Sequence, residues 1–191
     1  MSTLSTNTII PVTGTTVTLG ESGDTISLAS GASATGFNGV LQSLQDIKTD
    51  IYTSTAQTWT DVPDLDITIT PTTSGNKLWI SSVVHASNAT GNNHFAFRIT
   101  IDGTAYAIGD AGGSNRARAT GAGNQGSVSD GVENIAMQYL YTTSSTSAHV
   151  VKIQHIVGNA TLQVNRTEGD NNDNIYYSRQ ASTLTVMEIG A

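Results

Sequence analysis

From residue 57 onward the apolar residues of this chain recur at every second position. Leu65, Ile67 and Ile69 alternate with Asp66 and Thr68, and Phe95, Phe97, Ile99 and Ile101 enclose Arg98 and Thr100. Ile135, Met137, Tyr139 and Tyr141 repeat the pattern, and strands are also expected over His149 to Val157, Leu162 to Val164 and Leu184 to Ile189. A period of two marks strands with one buried face. Leu78, Ile80, Ser82 and Val84 alternate with Trp79, Ser81, Val83 and His85, so both faces are apolar and a central strand is expected. Turn formers separate these runs: Pro71 to Asn76, Asp102-Gly103, and the Thr/Ser cluster at 142–147. Asp-Gly is a strong hairpin dipeptide, and Thr104 to Ile108 reads as the return strand. About eight strands at this spacing predict an all-β antiparallel jelly-roll sandwich.

Two regions depart from that rhythm. Residues 1–39 are almost purely Thr, Ser, Gly and small apolar residues, and Thr16-Val17-Thr18-Leu19-Gly20 is echoed by Thr25-Ile26-Ser27-Leu28-Ala29. Val17 and Leu19 share one strand face, as do Ile26 and Leu28, but two such strands build no core of their own. The division is therefore an extended β-rich N-terminal arm, 1–39, used for anchoring or oligomerisation through those four residues, and a head domain, 40–191. In the second region Val40, Leu44, Ile47 and Ile51 are spaced four, three and four apart, as in a coiled-coil seam. The alternative is a strand near 47–55 with Ile47, Thr49, Ile51 and Thr53 on one face, preceded by a short helix or turn. The strand is preferred, because the seam spans fewer than two heptads.

Charge narrows the function. Charged residues are 12% of the chain, the net charge is -7, and Lys and Arg total eight. Nucleic-acid binding requires a basic footprint, which is missing, and the same shortage argues against an anionic membrane surface. No apolar run approaches the length of a membrane span, and the N-terminus lacks the pattern of a secretory signal. Cysteine is absent, which removes disulfides, thiolate zinc sites and cysteine nucleophiles.

Motifs for chemistry are scarce. His85, His94, His149 and His155 have no zinc-site spacing. The acidic loop around Asp170, Asn172, Asp173 and Asn174 offers oxygen ligands of the kind calcium uses but fails the EF-hand pattern. No nucleophile elbow, P-loop or dinucleotide fingerprint occurs. Asp61, Asp64 and Asp66 are the carboxylates a hydrolase would draw on, with no motif around them. The expectation is a protein that is not an enzyme and carries no metal or cofactor. Candidate binding residues lie in two polar loops: Asn115, Arg116 and Arg118 in the Gly-rich stretch 109–131, and Asn171, Asn172, Asn174, Tyr176 and Tyr177 in the second. Such side chains on loops suit carbohydrate or protein contact, and equally a subunit interface.

The arm, Gly14 to Gly20 and Gly23 to Leu28, resembles repeats in fibre and virion surface proteins of bacteriophages. So do Trp59-Thr60-Asp61-Val62, Ile67 to Pro71, Ile108 to Ala111 and Ala181 to Ile189. The resemblance implies a homotrimer with a jelly-roll head similar in outline to tumour necrosis factor, carried on an N-terminal anchor. It implies a short tail-fibre-like or adhesion protein on the virion surface, made in the host cytoplasm, with other capsid or tail proteins and a host surface glycan as partners. A capsid decoration protein is the close alternative, favoured by the short arm, and a free lectin is a further one.

Overall fold

A computed structural model describes residues 39–89, 93–113, 115–125 and 130–190, together with Gly14. The chain divides into two units, Met1–Phe37 and Asn38–Ala191, and every strand among the described residues lies in the second. Val17, Leu19, Ile26 and Leu28 lie outside the described residues.

Eleven strands are present among the described residues: β1 Val40–Lys48, β2 Tyr52–Ser54, β3 Thr60–Ile69, β4 Lys77–Asn88, β5 Asn93–Ile101, β6 Thr104–Tyr106, β7 Gly121–Gln125, β8 Glu133–Thr142, β9 His149–Val157, β10 Leu162–Val164 and β11 Ser182–Ile189. They form two antiparallel sheets. In the first, β4 is flanked on one side by β8 and on the other by β11 and then β10; β1 borders β11 and β2 borders β10. In the second the order is β3-β9-β5, with β6 and β7 end to end along the far edge of β5. Collinear pairs count as one lane each, so eight lanes remain. Numbered along the chain they run 1-8-3-6 in the first sheet and 2-7-4-5 in the second. The chain crosses from sheet to sheet at nearly every step, which is the jelly-roll arrangement.

The alternation seen in the sequence decides which side chains go inside. Leu65, Ile67, Ile69, Phe95, Phe97, Ile99, Ile101, Val151 and Ile153 from one sheet meet Leu78, Ile80, Val84, Leu184 and Val186 from the other. All are buried, and each such residue withdrawn from water contributes about 1.5–3 kcal/mol. β4 is central, as its two apolar faces predicted. Asp102 and Gly103, with φ of 51° and 79°, make the two-residue hairpin turn between β5 and β6.

Three expectations need correction. Residues 40–46 are neither helix nor turn: β1 begins at Val40 and pairs with β11 along its whole length. A bulge between Val40 and Gln42 shifts the parity, so Val40 and Ile47 point outward while Leu44 points inward. The heptad-like spacing thus comes from apolar residues on both faces of a strand at the sheet edge. The return strand β6 stops at Tyr106, short of Ile108. Finally, Gly121–Gln125, inside a stretch read as loop, is strand β7 on the β5 edge. Its glycines are required by proximity. A Cβ on Gly121 would lie 2.6 Å from the Ile135 side chain, and one on Gly123 would run into the Phe95 ring at 2.8 Å and the Glu133 carboxylate.

Candidate functional site

The two polar loops leave from different sheets. Asn115 and Arg116, in the connection between β6 and β7, line a hollow of about 420 Å³ with His94, Ile156 and Gly158. Arg118 is not in it; its Nε donates to the Gly109 carbonyl at 2.6 Å and pins its own loop. The connection from β10 to β11 is ordered by local bonds. Asn171 Oδ1 accepts from the Asp173 N–H and Asn174 Oδ1 from the Tyr176 N–H, both at 3.0 Å. Asp170 pairs with Arg179 at 2.6 Å and Arg166 at 3.3 Å, so its carboxylate already has two guanidinium partners. Gly169 lies against the Tyr177 ring so closely that a Cβ there would enter it. Ile175 and Tyr176 stand out into solvent, 92% and 66% exposed, and Asn172 is exposed beside them. The first loop therefore helps to shape a concavity, whereas the second offers an apolar tip.

The histidines and carboxylates are dispersed. Among the described residues no three His, Asp or Glu side chains converge as a metal site would require. Of the three carboxylates considered for hydrolysis, Asp61 accepts from Lys152 and Gln154, both at 2.7 Å, and Asp64 accepts from Lys48 at 3.0 Å. Asp66 faces outward on β3 opposite Lys152. Asp64 reaches Lys48 because a positive φ of 60° in the β3 irregularity turns it away from the strand direction.

What the loop-centred reading missed lies on the outer faces of the sheets. The pairing register gives the outward side chains of the first sheet in rows. Ser43, Met187, Trp79 and Leu140 make one row; Gln45, Thr185, Ser81 and Gln138 the next; Ile47, Thr183, Val83 and Ala136 a third. Val40 and Ile189 extend the apolar area at one end, beside Lys77, the only formally charged residue on the outward positions of β1, β4, β8 and β11.

The charges of this sheet are turned inward. Glu188 is fully buried and accepts four hydrogen bonds: from the Thr72 N–H at 2.7 Å, the Thr72 hydroxyl at 2.8 Å, Asn76 at 2.6 Å and Gln42 at 2.5 Å. Burial alone would raise its pKa; the donors outweigh that and hold it below the usual glutamate range. Lys48 is also buried, its ammonium 2.8 Å from Asp50 and 3.0 Å from Asp64. Asn165, at φ 63°, ties the strands together: its amide donates to the carbonyls of Lys48 and Asp50, and its oxygen accepts from Ser182.

The second sheet does the reverse. Its outward positions carry Asp61, Asp66, Arg98 and Lys152. Arg98 lies over the Trp59 ring, 4.3 Å from its centroid, and gives two hydrogen bonds to Gln154, which in turn donates to Asp61. The Lys152 bond holds the Asp61 carboxyl below its usual range, with Gln154 adding to the effect. Inward, the same sheet buries His155, edge-on to Tyr52 at 5.4 Å, with neither ring nitrogen in a well-formed hydrogen bond. Burial pushes this imidazole below its ordinary pKa.

No protein-family model matches the chain, and no curated protein does. Among solved structures, a chain from the structure of infectious bursal disease virus, Gx strain, matches at 16% identity with a TM-score of 0.40, covering 86% of this chain and 42% of that one. The present chain thus spans less than half the length of that neighbour, and a likeness of this size carries no argument about function.

Proposed function

We propose that this chain is a non-enzymatic structural component of a bacteriophage virion, a homotrimeric surface appendage anchored through its N-terminal arm. The observation that carries the reading is the outer face of the β1-β11-β4-β8 sheet. A contiguous apolar area built on Trp79, Met187, Leu140 and Ile189, on a face with one formal charge, is the composition of a contact surface. Copies of one chain that meet through such a face bring no like charges together except at Lys77, and like-charge contact would cost several kcal/mol. Closed rings about a symmetry axis are the usual outcome for identical chains.

The likeness of the arm to phage fibre repeats supports the virion setting, and the exposed Ile175 and Tyr176 suit contact with a host or a neighbouring virion protein. Light scattering on the purified full chain tests the assembly: a trimer is expected, and a concentration-independent monomer overturns it. Imaging of the intact particle by electron microscopy tests the setting. Copies projecting from the tail fit an appendage, whereas copies spread over the shell mean a decoration protein.

A further inference from the structure

The outer face of the β3-β9-β5 sheet holds a hollow of about 470 Å³ that the virion reading does not use. It runs beside β9 past Val150, Lys152 and Gln154, with Asp61 at one end and the β5–β6 hairpin residue Asp102 at the other. Asp61, Asp102 and Lys152 are each roughly half exposed into it, at 45%, 48% and 39%. Both carboxylates are held in place by hydrogen bonds. Asp61 accepts from Gln154 on one oxygen and Lys152 on the other, and Gln154 is fixed by Arg98 on its Trp59 platform. Asp102 accepts from the Val150 N–H at 2.9 Å and pairs with His149 Nδ1 at 2.7 Å. His149 is wedged edge-on against Tyr141 inside the sandwich. Rotamers locked by such bonds are what a binding constellation needs.

We infer that this hollow binds a neutral, hydroxyl-rich ligand, the hexose ring of a glycan. The balance of donors and acceptors selects that class. Each carboxylate oxygen has a lone pair left after its internal hydrogen bond, and the Lys152 ammonium has two N–H groups left after its bond to Asp61. An anion would meet two carboxylates for one ammonium. A cation would meet Lys152 between them. A hydroxyl donates and accepts at once, so neighbouring hydroxyls of a sugar can give to the carboxylates while accepting from Lys152. Val150 supplies an apolar spot for the C–H side of the ring. The size lies within the ordinary range for small-ligand sites. This inference is independent of the virion and trimer readings and places sugar contact on a sheet face, away from both polar loops.

Saturation-transfer NMR on the full-length protein tests it, with the methyl glycosides of glucose, galactose, mannose and N-acetylglucosamine as probes. Transfer to at least one of them is expected. Asp61→Asn and, separately, Asp102→Asn keep the side-chain shape and should weaken binding about tenfold, the worth of a charge-assisted hydrogen bond. Arg116→Ala, in the other hollow, should leave binding unchanged. If circular dichroism shows that either asparagine variant has lost the fold, Lys152→Met takes its place. The inference is overturned if no neutral glycoside binds, if binding survives the Asp61 and Asp102 substitutions, or if it is lost in Arg116→Ala. It is also overturned if glucose 6-phosphate or glucosamine binds more tightly than every neutral probe.

Discussion

The two sheets of this jelly roll dispose of their charges in opposite directions. The β1-β11-β4-β8 sheet buries Lys48 and Glu188 and shows solvent a face of Trp, Met, Leu, Ser and Thr. The β3-β9-β5 sheet fills its inner face with Phe, Ile and Val and sets Asp61, Asp66, Arg98 and Lys152 outside. A buried charge is expensive unless fully hydrogen-bonded, and a surface ion pair contributes little. The first arrangement therefore costs stability that the second does not. What it leaves is a neutral outer surface that another copy can cover, while the second sheet keeps an outer surface that stays wet.

The most severe test of that contrast is a charge on the neutral face. Met187→Glu places a carboxylate in the middle of the Ser43, Met187, Trp79 and Leu140 row. Dissociation of the proposed trimer to monomers is expected, since an unpaired desolvated charge costs several kcal/mol per contact. Thr68→Glu on the opposite face should leave the mass by light scattering unchanged. Next in size are the buried polar groups. Lys48→Ala should cost about 3 kcal/mol in urea denaturation through loss of a fully surrounded cation. Asn165→Ala should cost about 2 kcal/mol by leaving two carbonyls and the Ser182 hydroxyl without it. Lys152→Met, on the wet face, should not move the denaturation midpoint.

The interiors of the two sheets also separate by pH. Because burial lowers the His155 pKa, the unfolded chain takes up a proton that the folded chain resists. Stability is then complete above the ordinary histidine value of 6.5 and declines as pH falls below it. Glu188, held below the usual 4.5, contributes its full share above that value and loses it as pH drops through the lower folded value. Midpoints of urea denaturation against pH should therefore fall in two stages. His155→Phe should abolish the first stage, and Glu188→Gln should shrink the second, to which the lowered Asp61 also contributes. At the glycine edge, Gly123→Ala should cost about 1–3 kcal/mol by pressing on Phe95 and Glu133.

Most of the fold was legible because a half-buried strand writes its inner face into alternate residues, as at Leu65–Ile69 and Phe95–Ile101. β7 was not, since Gly121, Ala122 and Gly123 are selected for lack of bulk against Ile135 and Phe95, not for hydrophobicity. β1 was half legible, because Leu44 and Ile47 put apolar side chains on opposite faces of an edge strand. The candidate sites fared differently. Asn115 and Arg116 do line a hollow, but Arg118 and Asn171 serve their own loops. The outward network was hidden because Asp61, Arg98 and Gln154 sit on three strands up to 93 residues apart. The one local signal was Arg98 between Phe97 and Ile99, a cation at an outward strand position.

The pairing of β1 with β11 joins Gln42 to Glu188, 146 positions along the chain. The last strand of the domain slots between its first and its central strand, so neither edge of that gap can close early. During synthesis the neutral face stays split until β11 leaves the ribosome, and the carboxylate that Thr72, Asn76 and Gln42 await arrives only then. Closing so long a loop is slow. The outer face of this sheet is thus complete only once the whole domain has folded.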